Sequence, residues 1–571
     1  MNTISRRTFL QGTVGVTGAI SLGWLLDACQ IGSSSPGAKT SLVILQPAVA
    51  LGADWEGSQN ASPATEELES QTYQGLVDYV YNIDPSGVYA PDFTKPTGAL
   101  AESWEQSGLD WTFHLRQGVM SPAGNEFTAD DVIWTFARDK NVGGVVQCGW
   151  FLLNAGSVFD FTPVAKGATA ADKMLKNEVV KIDKYTVKIH QYETNEVFPG
   201  VLAVFCCWII DSTEAMKHAT SDDPWAYKWL DSGGTAGFGR YSLQSWDKGN
   251  SVVLQANPYY KSQLAYDTIT IRSVPASANR IAAIESGQAD AVTDLSPNEF
   301  NQVSASGKAV VLNWIGNTFL SLGLNYGYQP WGGGGNPDKA RLVRQAIAQA
   351  IPYDQIVNQA FFGSAKKWNG LISSTFYGAT TYPNKYAGDL NMAKQLLAQA
   401  GYPNGAGISG PGLELVYVAE EASIFEPIAT FIQTALAQIG IQIQLNPLPQ
   451  SQYSDRYSTK RDLPMFLNQN ASFVADAGYM AQVFYVSTAN GGLVGAANYK
   501  SAAFDAAYLK QKGATGSDRI QLLQAMQDIL IQDLPEIPLV EPARQIALRK
   551  GLTRWSPRAE KAMNMWTFRN S

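Results

Sequence analysis

Two separate stretches of this chain show the same order of strand, helix and strand. In the first, residues 268–273 alternate apolar and polar, residues 276–286 have helical periodicity, and residues 289–292 suit a short second strand. The same order recurs with strands over residues 413–418 and 441–445. Strands joined through a helix pair in parallel with a right-handed crossover, so two α/β units are predicted. A length of 571 residues also exceeds what one hydrophobic core can organise.

The first 29 residues have the features of an export signal. Arg6 and Arg7 precede an uncharged run over residues 11–26, and Cys29 follows it. This order is typical of a twin-arginine signal that ends in a lipoprotein cleavage site, with Cys29 as the lipid attachment residue. A short membrane anchor is the alternative, but the run has 16 residues, fewer than the roughly 18 to 20 that span a bilayer.

Export determines the expected location and partners. A removed signal over residues 1–28 and a flexible tether over residues 29–40 predict a lipid-anchored protein in the periplasm or on the cell-envelope face of the cytoplasmic membrane. The twin-arginine translocase is the implied export partner. Asp27 differs from the small neutral residue usual beside a lipoprotein cleavage site, so processing by another route is the alternative.

Charge and apolar content exclude several classes of function. The formal net charge is −8, 45% of the residues are hydrophobic, 16% are charged, and Lys and Arg do not cluster. Nucleic acid needs cations that neutralise phosphates, and anionic lipid needs a polybasic patch, so neither is a predicted partner. No second long apolar run follows the signal, so the mature protein is not expected to span a membrane.

The chain carries few residues suited to catalysis or metal binding. The histidines His114, His190 and His218 lack zinc-ligand spacing, and no GxSxG elbow occurs. We therefore predict no metal, no cofactor and no enzymatic activity. A secreted hydrolase that uses two carboxylates is the less favoured alternative, because the acidic residues could always supply such a pair. The 15 Trp, 25 Tyr and 23 Phe residues instead suit a cleft that encloses an organic ligand.

The four cysteines are Cys29, Cys148, Cys206 and Cys207. If Cys29 carries lipid, three remain, so at most one intramolecular disulfide can form. Cys206 and Cys207 lie in the apolar run over residues 201–210, which indicates burial. Buried free thiols are the favoured interpretation, and a bridge from Cys148 to Cys206 or Cys207 is the alternative.

Several long motifs occur along the chain. They are ALAESWE at 99–105, WTFHLRQG at 111–118, FTADDV at 127–132, GGTAGFGRY at 233–241, ANPYY at 256–260, RLVRQAI at 341–347, AKQLLAQAGYP at 393–403 and NYKSAAFD at 498–505. In this order they resemble the family-five bacterial extracellular solute-binding proteins, the peptide-type receptors of ABC importers. The resemblance runs from about residue 41 to about residue 550.

The resemblance implies an α/β fold of the periplasmic-binding-protein type II, with two lobes, an extra subdomain in the first lobe and a hinge cleft between the lobes. We expect lobe 1 over residues 41–315, lobe 2 over 316–532 and a C-terminal return to lobe 1 over 533–571. The implied function is an extracytoplasmic receptor, expected to be monomeric, which captures peptides or peptide-sized solutes and delivers them to an ABC permease and its ATPase subunits. A receptor for oligosaccharides or other small solutes is the alternative.

The ligand-binding residues that the resemblance implies lie in one short segment. In peptide receptors of this family, an acidic residue in a Trp-x-x-Asp-Tyr pattern pairs with the α-ammonium of the peptide. Phe473 and Asp476 keep that spacing, and Tyr479 follows. Asn468 and Asn470 stand where such receptors often have an arginine, so recognition of a carboxylate by that arginine is not expected. We expect Asp476, Phe473, Tyr479 and Asn470 to contact the ligand; a solvated loop carboxylate is the alternative for Asp476.

Overall fold

The computed structural model describes residues 41–571 apart from residues 57, 59–61, 143–148, 150–152, 154, 160–174, 333–334, 383–384, 409–411, 488–495 and 561. The predicted signal and tether, with Arg6, Arg7 and Cys29, therefore lie outside the described residues. Cys148 also lies outside them.

Most of the strands belong to one large sheet. The strands are β1 Ser41–Gln46, β2 Val77–Ile83, β3 Tyr89–Gly98, β4 Ala101–Ser107, β5 Asp110–Leu115, β6 Val179–Asp183, β7 Thr186–His190, β8 Tyr241–Asp247, β9 Ser251–Ala256, β10 Thr268–Ser273, β11 Ala291–Val292, β12 Ala309–Ile315, β13 Thr318–Leu324, β14 Ala365–Lys367, β15 Glu414–Val418, β16 Gln444–Leu448, β17 Met465–Ala471, β18 Glu536–Arg549, β19 Leu552–Thr553 and β20 Arg569–Asn570. The order in the large sheet is β16-β15-β17-β13-β18-β11-β1-β10-β9-β8, and β12 and β14 also pair with β18. A separate sheet has the order β4-β5-β7-β6.

Helices alternate with strands through much of the chain, so the fold is mixed α/β. They are Pro63–Thr72, Ala129–Asn141, Phe198–Leu202, Ser212–Met216, Tyr227–Asp231, Ser277–Glu285, Pro297–Ser306, Pro337–Ala350, Tyr353–Gln355, Leu390–Ala400, Ala422–Gln438, Gln450–Ser454, Ala477–Phe484, Ala502–Lys512 and Gly516–Asp533. Among the described residues, no helix combines the length and apolar character that crossing a membrane requires.

The first strand-helix-strand unit contains an inserted strand. β10 and β11 run in the same direction on either side of helix Ser277–Glu285, as predicted, but they do not pair with each other. β1 lies between them and pairs in parallel with both, so that Val43 is opposite Thr270 and Ile44 is opposite Ala291. Because β1 comes from a distant part of the chain, the local pattern could not reveal it.

The second unit has the predicted parallel neighbours but a shifted strand. β15 and β16 pair directly, with Glu414 opposite Gln444. The sequence pattern predicts the second strand from residue 441, whereas it begins at Gln444. Gly440 turns the chain in the left-handed region, with φ of 88°, and Ile441 and Ile443 are then buried at 0% and 6% exposure. Ile441 and Ile443 are therefore apolar because they pack in the core beneath a turn. Their alternating spacing is the same as that of a strand with one buried face.

β18 joins the two halves of the large sheet. Its residues 536–540 pair with β13, and its residues 543–549 pair with β12. β12 and β13 are consecutive and are separated only by Gly316 and Asn317. Two hydrophobic cores flank this junction, one built mainly from residues 42–319 and 474–568, the other from 320–467 and 534–540.

The two adjacent cysteines differ in their bonding. Cys206 and Cys207 are 5% and 0% exposed, so the predicted burial is confirmed. The favoured interpretation of free thiols is wrong for Cys206, which is disulfide-bonded. Cys207 is a free thiol, and burial raises its pKa. Both lie in the 3₁₀ turn Phe205–Cys207, where consecutive side chains point about 120° apart, so one can form a bridge while the other stays in the core.

Candidate ligand-binding site

Asp476 lies where the chain leaves β17 and enters helix Ala477–Phe484. Its backbone is extended, with φ of −133°, and its Oδ1 accepts hydrogen bonds from the backbone N–H groups of Gly478 at 2.7 Å and Tyr479 at 3.2 Å. This is N-cap geometry, which satisfies N–H groups that the helix leaves free. It also brings a negative charge to the positive end of the helix dipole.

The same carboxylate forms a buried ion pair with Arg519. Arg519 Nη1 donates to Asp476 Oδ2 and Arg519 Nη2 donates to Asp476 Oδ1, both at 2.7 Å. Arg519 belongs to helix Gly516–Asp533 and is 1% exposed, and Asp476 is 6% exposed. Two parallel charge-assisted hydrogen bonds set both the position and the orientation of the carboxylate. Asp476 is thus a buried, paired carboxylate.

Two neighbours hold the guanidinium of Arg519. Gln511 Oε1 accepts a hydrogen bond from Arg519 Nε at 3.1 Å, and the ring centre of Tyr377 lies 5.6 Å from the guanidinium carbon. The Tyr377 backbone N–H donates to Ala475 O at 3.1 Å and its carbonyl accepts from Ala477 N at 3.0 Å. The ion pair therefore connects three distant parts of the chain around Asp476.

Phe473 and Tyr479 have different environments. Phe473 is 39% exposed, and its ring stands edge-on to Phe205 at a centroid distance of 5.5 Å. Tyr479 is 4% exposed, packs in the larger core and reaches Asp476 only through its backbone N–H. Burial raises the pKa of the Tyr479 hydroxyl. Of this predicted pair, Phe473 alone presents its side chain at a surface.

Asn470 belongs to a separate buried network around Glu536. Asn470 Nδ2 donates to Ser321 Oγ at 2.8 Å and to Glu536 Oε2 at 2.6 Å. The same Glu536 oxygen accepts from Ser321 Oγ at 2.7 Å and from the Tyr485 hydroxyl at 3.3 Å. Glu536 and Asn470 are both 0% exposed, and burial raises the pKa of Glu536, which these hydrogen bonds oppose. Asn470 therefore stabilises the sheet rather than sharing the environment of Asp476.

Residues 193–205 lie against the segment that carries Asp476. Lys512 forms an ion pair with Glu193, and the Phe205 ring contacts Phe473. A Cβ added at Gly200 would lie 3.2 Å from Val474 Cγ1, so the Gly200 backbone packs closely against the Val474 side chain. These contacts define the candidate site as the junction between residues 193–205 and the Asp476–Arg519 pair.

Arg519 is not among the predicted site residues, although its spacing in the sequence carries a signal. Arg519 precedes the buried residues Leu523 and Met526 by four and seven positions in one helix, so all three lie on the same face. A charged residue on a buried stripe needs a partner of opposite charge. The sequence therefore predicts that Arg519 has a partner of opposite charge, but it does not predict that this partner is Asp476.

A small cavity lies elsewhere, among Asn325, Tyr457, Phe466 and Asn498. Its volume of about 10 Å³ holds about one water molecule, so it does not suit a peptide-sized ligand. Within the described part of the chain, no group of His, Cys, Asp and Glu residues is arranged to hold a metal ion.

Comparison with known proteins assigns the chain to a family. The model of the bacterial extracellular solute-binding proteins, family 5 Middle, matches residues 95–492, more than half of the chain. The protein belongs to this family. Members of the family are substrate-binding proteins of transport systems and not enzymes.

Relatives and solved structures agree with that membership. This family 5 protein is 26% identical over 508 residues to the probable D,D-dipeptide-binding periplasmic protein DdpA of Escherichia coli, an alignment that covers 87% of this chain and 88% of the relative. It is 27% identical over 356 residues to heme-binding protein A of Haemophilus influenzae, which covers 59% of each chain. The periplasmic binding protein DppA from Helicobacter pylori, solved with the peptide STSA, has 23% identity and a TM-score of 0.68 over 93% of this chain and 98% of that one. The likeness shows the two-lobed α/β fold of periplasmic binding proteins.

Gly478 makes room for the ion pair, and replacing it should disturb the site. A Cβ at Gly478 would lie 2.7 Å from Gln511 Oε1 and 2.9 Å from Arg519 Nη2. We predict that Gly478→Ala lowers the free energy of unfolding by about 1–3 kcal/mol, the usual cost of overpacking, measured by urea unfolding. Alanine in a helix is otherwise favoured over glycine by about 0.5–1 kcal/mol, so destabilisation reports the clash.

Gly513→Ala is the matched control for this prediction. A Cβ at Gly513, directly after helix Ala502–Lys512, meets nothing within 4 Å. Its free energy of unfolding should therefore stay close to that of the wild type. If Gly478→Ala is as stable as this control, the described packing around Arg519 is contradicted.

Proposed function

We propose that this protein is the extracytoplasmic substrate-binding receptor of an ABC importer. In this proposal it captures peptides or peptide-sized solutes between its lobes and delivers them to the permease and its ATPase subunits. The observation that carries the proposal is the Asp476 carboxylate, which Arg519 orients at a helix start, in a segment that residues 193–205 contact. The relatives named for a D,D-dipeptide and for the peptide STSA support a peptide-type ligand.

The lobes proposed are residues 41–315 and 316–532, with a return to the first lobe over 533–571. Support comes from β18 and from the β12–β13 connection at Gly316 and Asn317, which run side by side between the two halves of the large sheet. A hinge needs only a few residues that absorb backbone rotation. Opening at these two connections would separate residues 193–205 from Asp476 and admit a ligand.

The α-ammonium group of the ligand is proposed to bind Asp476 Oδ2. Among the described residues, Oδ1 accepts three hydrogen bonds, whereas Oδ2 accepts one, from Arg519. A carboxylate oxygen has two lone pairs, so Oδ2 can accept a further donor. The exposed ring of Phe473 would then cover the first ligand residue. Tyr479 would contribute through its backbone N–H, which binds the Asp476 carboxylate. Asn470 would contribute through its hydrogen bond to Glu536.

A thermal-shift screen of di- to hexapeptides and oligosaccharides tests the ligand class. A ligand at a hundredfold excess over its Kd stabilises the folded state by about 2.7 kcal/mol, so bound peptides should raise Tm. We expect peptides with a free amine to raise Tm and oligosaccharides to leave it unchanged. A shift with oligosaccharides alone would contradict the peptide proposal, and turnover of any compound would indicate an enzyme.

Replacement of Asp476 tests the proposed ammonium site. We predict that Asp476→Asn weakens binding of a free-amine peptide by about thirtyfold or more, since loss of one member of a buried charge pair typically costs about 2–5 kcal/mol. Binding of the N-acetylated peptide, already poor, should change little. Calorimetric titration of both peptides against both proteins measures the coupling.

The same substitution leaves Arg519 buried without a counter-charge, so a stability control is needed. Breaking a buried pair costs about 3–5 kcal/mol, and Tm of Asp476→Asn should fall. If that variant does not fold, Asp476→Asn combined with Arg519→Met removes both charges and permits the same titrations. Zero coupling between substitution and acetylation would restrict Asp476 to a structural role.

Export by the twin-arginine translocase and a lipid anchor at Cys29 are also proposed, on the basis of the N-terminal sequence. We predict that Arg6→Lys with Arg7→Lys keeps the protein in the cytoplasm, because the paired arginines are an address that a receptor reads. Cys29→Ala should release mature protein from the membrane fraction or stop processing. If Cys29→Ala fractionates and migrates like the wild type, lipid is not attached there.

A further inference from the structure

The candidate site contains two ion pairs, and the charges within each pair sum to zero. Asp476 and Arg519 form the buried pair, and Glu193 and Lys512 form a second pair nearer the surface, with side chains 42% and 22% exposed. Each pair consists of one carboxylate and one cation. Neither pair therefore leaves a net charge that would attract a charged ligand into the site.

Glu196 differs from both pairs. It is half-buried, and within the described part of the chain it forms no hydrogen bond and no ion pair. It lies between Glu193, which binds Lys512, and Gly200, which approaches Val474. The segment that carries Glu196 is thus held against the Asp476 region on both sides of this residue.

The backbone beside Glu196 is also fixed from within its own part of the fold. Asn195 Nδ2 donates to Ala155 O at 2.7 Å and to Ser157 Oγ at 3.0 Å, and its Oδ1 accepts from Val197 N at 3.2 Å. Asn195 is 3% exposed. The positions of Asn195 and Val197, on either side of Glu196, are therefore fixed.

The electrostatic surroundings of Glu196 agree with this position. Burial raises the pKa of Glu196, Arg519 lowers it, and Asp476 raises it. These directions agree with the contact between residues 193–205 and the segment that carries Asp476, since Coulombic interactions weaken with distance.

We propose that Glu196 is a second ligand-binding carboxylate, which encloses the cationic amine of the ligand from the side of the cleft opposite Asp476. This inference rests on the proposed receptor function. An ammonium group has three donors, so Asp476 Oδ2 can take one and the Glu196 oxygens can take the others. Because Arg519 cancels the charge of Asp476, Glu196 supplies the net negative charge, and the site prefers a ligand with a primary amine over a neutral one.

Calorimetric titration with the peptide STSA and its N-acetylated form tests Glu196. Glu196→Gln should weaken binding of STSA by about 10- to 100-fold, while binding of the acetylated peptide changes less than about threefold. Glu285→Gln is the matched control, because it removes the same charge from a carboxylate outside the candidate site that already has Lys308 as its partner, at 3.0 Å. A partly exposed pair contributes little, so this variant should bind STSA within about threefold of the wild type.

The stability of Glu196→Gln separates binding from folding. Since no partner is lost, its Tm should equal or exceed that of the wild type. If it falls, Glu196→Asp keeps the charge on a shorter side chain and should bind STSA more tightly than Glu196→Gln.

The possible results distinguish this inference from the receptor proposal. If Glu196→Gln binds STSA as tightly as the wild type while Asp476→Asn is weakened, the role of Glu196 is overturned and the receptor proposal stands. If neither STSA nor any free-amine peptide of the screen binds the wild type, the receptor proposal itself is contradicted, and the inference with it.

Discussion

The buried ion pair between Asp476 and Arg519 is the interaction on which the candidate site depends. It joins the start of helix Ala477–Phe484 to helix Gly516–Asp533, and Tyr377 closes the arrangement from a third part of the chain. Removing one member of such a pair leaves an uncompensated buried charge, at a cost of about 3–5 kcal/mol. Neither residue can therefore move far while the fold persists. The ion pair orients the carboxylate without a ligand, and for the ligand site that we propose this orientation lowers the entropic cost of binding.

The same pair limits the chemistry of recognition. A carboxylate whose charge is already balanced attracts a cation weakly, so discrimination for an amine requires another negative charge at the same junction. The Asn470 position adds a second limit, because its amide donates to Ser321 and Glu536 within the sheet. Where an arginine often stands in peptide receptors, this chain uses an internal hydrogen-bond network. In the receptor that we propose, ligand selection is therefore concentrated at the amine group of the ligand.

Local patterns predicted the α/β fold class, the parallel direction of β10 and β11, and the direct pairing of β15 with β16. They could not predict that β1 inserts between β10 and β11, because strand order depends on contacts between residues more than two hundred positions apart. The predicted strand start at Ile441 was wrong for a different reason. Ile441 and Ile443 are buried beneath a turn, and such positions favour the same apolar side chains as buried positions in a strand. The prediction for the cysteines was wrong for a third reason. Cys206 and Cys207 are identical neighbours in one turn, but their side chains point in different directions, so that only Cys206 is disulfide-bonded.

For the site, the motif spacing identified Asp476 and Phe473, and the family motifs identified the type of receptor, because these signals lie in residues close together along the chain. The sequence by itself thus determined the fold family, the class of function and one carboxylate of interest. Only the tertiary structure decided which charges are paired. Asp476 pairs with Arg519 across 43 positions and Glu193 pairs with Lys512 across 319, whereas Glu196, three residues from Glu193, forms no ion pair in the described part of the chain. Pairing depends on distance in space, and the packing of the two cores sets that distance.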